Sequence, residues 1–444
     1  MIDGAPGPWF SRPLVRDYGM SIVLVVLILL FTGLTIGEQH PNGVEAGREV
    51  ADAILADHGA EASVLIVTRK TTDDLAFAEG ARERLTAGGV TIVGPVHGAP
   101  ADATRTIREL LAEGRHIDAI AANEATAAWT VYDKFPEVGA EKCVAPAATT
   151  WPVFLKRSNL LGVANQTAVY AIIAIGMTMV IITSGIDLSV GSLVALSSVT
   201  CALVLRDWGG GADAGLGMVL LAVLISISLC ALAGFFNGFL VTTFGLPPFI
   251  VTLGMMLMAS GLAYRLAEGA SIGKLPSSLT ALGQGRTAGI PNQVLLMIAL
   301  YLVAHVVMSR MVFGRYVYAI GGNADAARLS GVSVTRVLLV VYTISALLAG
   351  LGGVILTSQL AAGAPTYGQM YELEVIAAVV VGGTSLMGGR GKVLSTLIGA
   401  FIIAVIKNGM NLTKVDPFNQ NIVLGAVLTG AVLLDTLKRR GLRH

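Results

Sequence analysis

Charge is scarce in this 444-residue chain: 13% of residues are Asp, Glu, Lys or Arg, 54% are hydrophobic, and the mean hydropathy is +0.73. A soluble chain of this length needs far more charge to coat its surface, so a bilayer must solvate much of it. Cysteine is scarce too. Cys143, Cys201 and Cys230 are the three, the last two inside apolar runs, so no disulfide framework or thiolate metal site can be built from them. The six histidines are scattered and none is paired at ligand spacing. No Gly-x-x-x-x-Gly-Lys-Ser/Thr nucleotide loop occurs, and no nucleophile–base constellation. An enzyme reading therefore has no residues to stand on. No cofactor, metal or nucleic-acid partner is expected on this chain.

What the chain does have is apolar runs. Met20–Ile36 follows Arg12 and Arg16, and no Ala-x-Ala-like cleavage site comes after it, so it reads as a retained first helix. Nine further stretches follow at about 164–183, 187–205, 215–241, 246–266, 292–313, 334–358, 374–389, 393–410 and 421–437. Most approach the ~20 residues that cross a bilayer. The expected fold is thus an α-helical polytopic membrane protein of about ten transmembrane helices.

Residues 37–158 break this pattern. They hold 18 of the 29 acids and 12 of the 30 bases, leaving the rest of the chain net basic. Apolar runs at Ala62–Thr68, Val90–Val93 and Ile117–Ala122 alternate with helical patterns over Val44–Asp57, Thr72–Ala87, Ala101–Glu113 and Glu124–Lys134. That alternation predicts an extramembrane α/β insert with a three-strand parallel sheet, between helices one and two. The expected division is 1–36, 37–158 and 159–444.

Basic residues of short loops orient the body. Arg12, Arg16, Arg310, Arg315, Arg328, Arg336, Arg390, Lys392, Lys438, Arg439, Arg440 and Arg443 fall on one side. Only Arg206, Arg265, Lys274, Arg286, Lys407 and Lys414 fall on the other. The first side is then cytoplasmic and the insert faces out.

Four places could carry function. Thr183-Ser-Gly-Ile-Asp-Leu-Ser-Val-Gly-Ser192 interrupts two spans and puts Asp187 and Ser189 at membrane depth, where a carboxylate is costly. It could cap the helix beginning near Leu188 or take part in a conduction path or gate. Asn237, upstream of Pro247-Pro248, marks a second interruption, which reads as a tight turn or a substrate contact. In Gly314–Val332, Asn323 should cap a short helix over Ala324–Leu329, ended by Ser330-Gly331. An amphipathic helix there suits either docking to another protein or rest at the membrane surface. Glu372 and Glu374 stand at the outer end of a span. In the insert, Arg69, Lys70 and Asn123 fall at the carboxyl ends of strands, the edge where parallel sheets bind ligands.

These segments, in this order, resemble the permease family of ribose-type monosaccharide ABC importers. The resemblance runs through Thr183–Ser192, Asn237-Gly238, Pro247–Ile250, Thr252–Gly254, Tyr318–Asn323, Ala327–Gly331 and Glu372 with Ala377–Ser385. It implies a ten-helix subunit in a bacterial cytoplasmic (inner) membrane, working as a homodimer or pseudo-symmetric dimer. Its partners would be a cytoplasmic ATP-binding-cassette ATPase, where ATP is used, and an external sugar-binding protein. It assigns ATPase docking to the loop holding Asn323, Ala327, Arg328, Leu329 and Gly331. Asp187, Ser189, Asn237 and Glu372 are then candidates for the translocation path or its gating. The insert departs from that family and resembles one lobe of a periplasmic sugar-binding protein, with Asn123-Glu124 where such lobes have Asn-Asp. Related permeases for nucleosides or branched-chain amino acids, and a membrane-anchored ligand sensor, are the alternatives.

Overall fold

The structure, a computed structural model, describes residues 13–441, with side chains described over 19–433. The basic residues Arg12, Arg16, Lys438, Arg439, Arg440 and Arg443, on which part of the orientation rests, lie outside the described side chains. The chain forms two compact units, residues 36–153 and the remainder.

Helix α1 (Pro13–Leu34) leads into strand β1 (Ile36–Gln39) and the first unit. There follow α2 (Val44–His58), β2 (Ser63–Thr68), α3 (Thr72–Ala87), β3 (Thr91–His97), α4 (Pro100–Ala112), β4 (Ala119–Ala122) and the single turn α5 (Glu124–Ala127). The unit closes with β5 (Cys143–Val144) and β6 (Thr149–Pro152). Its sheet is parallel, in the order β3-β2-β4-β5. Alternate residues of β2 feed two cores. Val64 and Ile66 pack with Val50, Ile54, Phe77 and Leu85 of α2 and α3, while Leu65 and Val67 pack with Ile107 and Leu110 of α4. A parallel sheet covered on both faces needs apolar residues in both registers, and Val-Leu-Ile-Val supplies them. Each such side chain, fully buried, contributes about 1.5–3 kcal/mol.

The sheet has four strands where the sequence predicts three. Cys143–Val144 pairs with Ile120–Ala121, but two residues carry no readable alternation. The helix expected over Glu124–Lys134 stops after one turn and resumes as a 3-10 turn at Tyr132–Lys134. Tyr132 is fully buried in the α4-side core, and Phe135 precedes Pro136, which disfavours helix at that position.

The second unit continues with α6 (Arg157–Ile182), α7 (Val190–Asp207), α8 (Leu216–Thr243), α9 (Pro248–Leu266), α10 (Ser277–Gln284), α11 (Asn292–Arg310), α12 (Val312–Gly322), α13 (Ala324–Leu329) and α14 (Val334–Leu360). It ends with α15 (Tyr371–Val381), α16 (Val393–Leu412) and α17 (Pro417–Gly441). Among the described residues, seven helices are long and apolar enough to cross a membrane: α6, α7, α8, α9, α11, α14 and α16. Gly19–Leu34 and Pro417–Leu433 are shorter apolar segments. The body sorts by burial. The most apolar window of α6 is 83% buried and that of α8 only 22%. So α6, α7 and α14 make the interior, while α8, α9 and α11 present Leu, Phe and Val outward, as a lipid-facing helix must.

The apolar stretch at 374–389 is helical only to Val381. Eleven residues span about 16 Å, half the ~30 Å hydrocarbon core. The helix stops because Gly383, Gly388 and Gly389 take φ of 91°, 82° and 71°, which glycine adopts freely and a helix cannot contain. The stretch at 292–313 likewise divides at Met311, between α11 and α12.

Candidate functional site

The segment after α11 is built as a bracket. Asn323 accepts the Ala326 amide at 2.9 Å through its side chain, capping α13, and Ser330 donates to the Ala326 carbonyl at 2.9 Å. Gly331, at φ 84°, ends the turn. Ala327 is buried and anchors the helix, whereas Leu329 is 90% exposed and Arg328 meets only the exposed Asp325 at 3.7 Å. α13 therefore presents a bare leucine and an arginine held by one weak surface pair. Behind it, the Tyr318 hydroxyl donates to the Gly391 carbonyl at 2.8 Å, and the Gly389 amide to the Ile182 carbonyl at 2.8 Å. The bracket is thus stitched to the loop after α15 and to the break between α6 and α7.

Asp187 lies in that break, fully buried. One carboxylate oxygen accepts the Ser189 amide at 3.0 Å and its hydroxyl at 2.6 Å; the other accepts the Ser345 hydroxyl at 2.9 Å. Asn237 donates to the Ser189 hydroxyl at 3.3 Å, and its own carbonyl oxygen has no partner. α7 begins at Val190 with Ser189 as its cap residue, so Asp187 ties the turn before the helix and does not cap a helix at Leu188. The cluster brings Asp187, Ser189 and Asn237 together from two elements, and adds Ser345 of α14. Nothing in the sequence marks Ser345, one hydroxyl in a long apolar helix. The Tyr342 hydroxyl, one turn earlier on α14, is buried without a partner.

Glu372 stands apart from this cluster. It lines a cavity of about 300 Å3 with Ser192, Ser260, Tyr367 and Gln369, residues the sequence reading does not single out. Glu374, two residues on, pairs with Lys407 at 2.8 Å, and Lys407 lies 5.4 Å from the centre of the Tyr170 ring. With side chains 18% and 30% exposed, this pair is more enclosed than a solvated helix end.

In the insert, Arg69 donates to Asp74 at 2.8 Å, and Asn42 to the same carboxylate at 2.7 Å. Burial opposes the Asp74 charge, but hydrogen bonds led by those from Arg69 and Asn42 outweigh it and hold the carboxyl at about 2. The Asn123 side chain is buried and accepts the Thr126 amide at 3.0 Å. His97, kept below its usual range by burial and by Lys70, meets the Thr68 hydroxyl at 2.7 Å. Of the predicted edge residues, Arg69 and Asn123 are largely committed to the fold and Lys70 is exposed. Burial, with Glu141 and Asp133, pushes the Cys143 thiol to about 12, which makes it inert.

Residues 159–432 match the family described as branched-chain amino acid transport system / permease component. The chain is 44% identical over 289 residues to the ribose import permease protein RbsC of Bacillus subtilis, covering 65% of this chain and 87% of that one. It is 40% identical over 300 residues to RbsC of Escherichia coli K12, covering 67% and 91%. With the xylose transport system permease protein XylH of the same strain it shares 34% over 354 residues, covering 66% and 88%. No solved structure matches.

Proposed function

The chain belongs to the branched-chain amino acid transport system / permease component family, and from that premise we propose that it is the membrane subunit of an ATP-driven importer that translocates a monosaccharide. The observation that carries the substrate class is the similarity to permeases named for ribose and xylose along nearly their whole length. The amino-acid alternative has only the family's description in its favour. Permeases of such importers work with an ATPase and a binding protein.

The finer reading is ours. Ten apolar segments lie in a bacterial inner membrane, α15 reaching only part-way across, with the acidic insert outside and α13 at the cytoplasmic face. Two copies, or one copy with a related chain, make the pore. Leu329 and Arg328 dock the ATPase, because they give α13 an exposed apolar side chain beside an exposed guanidinium. The insert modulates delivery by the external binding protein. With Arg69 and Asn123 committed, and one lobe unable to enclose a sugar, tight binding by it alone is not expected.

The test is reconstitution in liposomes with a partner ATPase and sugar-binding protein, following uptake of D-ribose and D-xylose. Uptake of neither sugar overturns the substrate class. Arg328→Glu should abolish ATP-driven uptake, and normal uptake with normal ATPase recovery would refute the docking assignment. Removing residues 40–150 should lower uptake when the binding protein is dilute. Equal uptake at every binding-protein concentration would show the insert to be a tether only.

A further inference from the structure

Much of the interior of the membrane unit pairs its polar side chains closely, although the Asn237 carbonyl oxygen and the Tyr342 hydroxyl stay open among the described residues. Ser197 donates to the Gly350 carbonyl at 2.6 Å, Ser358 to the Leu279 carbonyl at 2.5 Å, Thr357 to Ser198 at 2.7 Å, and Asp187 is bonded on both oxygens. The cavity beside Glu372 gathers several open polar side chains in one place. Ser192 from α7, Ser260 from α9, and Tyr367 from the segment before α15 make no side-chain hydrogen bond among the described residues. The Glu372 carboxylate meets its own backbone amide and feels the Glu374 charge, and it has no cationic partner among the described residues. All four are partly exposed to the cavity.

Polar groups left open are too costly to face hydrocarbon, so these face water that enters the cavity. Their chemistry is also specific. One carboxylate with two acceptor oxygens, two serine hydroxyls that both donate and accept, and a tyrosine ring with a hydroxyl at its edge suit a ligand rich in vicinal hydroxyls. They would serve a cation poorly, with a single charge and no second carboxylate, and they would repel an anion. The volume of about 300 Å3 lies at the bottom of the range of small-molecule pockets, roughly 300–1,000 Å3, which suits one sugar ring. Glycine at the floor lets α7 pack closely against this wall. A side chain at Gly191 would run into the Glu372 carboxylate and the Gly368 carbonyl, and Gly368 itself sits at φ 75°.

We infer that this cavity, bounded by Gly191, Ser192, Ser260, Tyr367 and Glu372, is a low-affinity station for a monosaccharide in transit, with Glu372 the acceptor of its hydroxyls. The inference rests on the monosaccharide-permease reading and adds the site to it. A weak site is what a conduit needs, since a solute held tightly cannot leave.

The test uses full-length protein in lipid nanodiscs carrying Ser260→Cys, modified by a small aqueous thiol reagent and read by mass spectrometry at position 260. Ser192→Cys is the second reporter, on a different helix, in case the first does not fold. D-ribose or D-xylose at millimolar concentration should slow modification several-fold, and equimolar betaine should not. Adding Glu372→Ala should raise the protecting concentration about tenfold, as loss of a charged hydrogen-bond acceptor does. If the reconstituted importer carries either sugar and neither reporter is protected by it, the station is refuted and the permease reading stands. If protection survives Glu372→Ala unchanged, Glu372 is not the acceptor. If the importer carries neither sugar and neither protects, the reading and the station fall together.

Discussion

Asn323→Ala tests the docking bracket most directly. The side chain makes one capping bond, to the Ala326 amide at 2.9 Å, and replacing such a cap by alanine costs about 1 kcal/mol. That lowers the formed-to-frayed ratio of the helix roughly fivefold. α13 has only six residues, too few to be stable without its ends fixed, so the loss falls on a marginal element. A partner that binds only the formed helix then loses apparent affinity in proportion to the formed fraction, up to about fivefold. Asn323→Asp and Asn323→Ser keep an acceptor and should lose little, and Asn323→Gly only a few tenths of a kcal/mol. Affinity of the ATPase for nanodisc-held protein, measured by interferometry, should fall in the order Asp and Ser, then Gly, then Ala. Leu329→Ala removes the most exposed apolar side chain of the same helix and serves as the contact control. If Leu329→Ala weakens binding while all four Asn323 variants bind alike, α13 does not depend on its cap and the reasoning is wrong.

Three further outcomes are expected. Asp74 is held near 2 in the fold against an ordinary 3.8, so its stabilisation is complete above about pH 4 and is lost as pH falls toward 2, a loss of about 2 kcal/mol. Hydrogen exchange of α3 amides in the full chain should show this acid loss, and Asp74→Asn should flatten it; parallel profiles would refute the assignment. Ser345→Ala strips the buried Asp187 of one partner and should cost about 1–3 kcal/mol, read as a lower midpoint of thermal unfolding in detergent. An unchanged midpoint would mean that the hydroxyl is dispensable. Gly80→Ala places a methyl against the Val44 carbonyl where α2 and α3 cross; overpacking of about 1–3 kcal/mol should raise exchange in both helices, and unaltered exchange would show that the crossing yields.

How much of this was legible follows from the range of each signal. The α13 cap was readable because it is local: Asn323, a short helical run, then Ser330-Gly331. Thr72–Ala87 was readable for the same reason, with Thr71 capping the Asp74 amide. The early end of α15 was not, because hydropathy continues through Leu386-Met387 and only backbone angles at the glycines reveal the break. The polar groups around Asp187 and Glu372 were half legible. An acid inside an apolar run announces itself, but Ser345 beside Asp187, and Ser192 and Ser260 in the cavity of Glu372, are hydroxyls among several in apolar helices, on elements far apart in sequence. Tertiary packing selects them, and no local pattern records it.

One feature of the insert bears on how such a chain could arise. β1 and β6 pair antiparallel, with Ile36 opposite Pro152 and Gln39 opposite Thr149, so the strand that enters the unit lies beside the strand that leaves it, about 5 Å away. Just outside the pair, the Phe154 amide donates to the Thr35 hydroxyl at 3.1 Å, and the rings of Phe31 and Phe154 stack at 6.3 Å. The ends of α1 and of the segment before α6 are therefore pinned together whatever is strung between β1 and β6. Closing a folded domain through adjacent termini costs the flanking helices no more loop entropy than a short turn does. The β1–β6 clasp works as a docking port: another domain with neighbouring termini, grafted between Gln39 and Thr149, should leave the membrane helices as they are, making this position a natural place to mount a fluorescent reporter or a foreign receptor module.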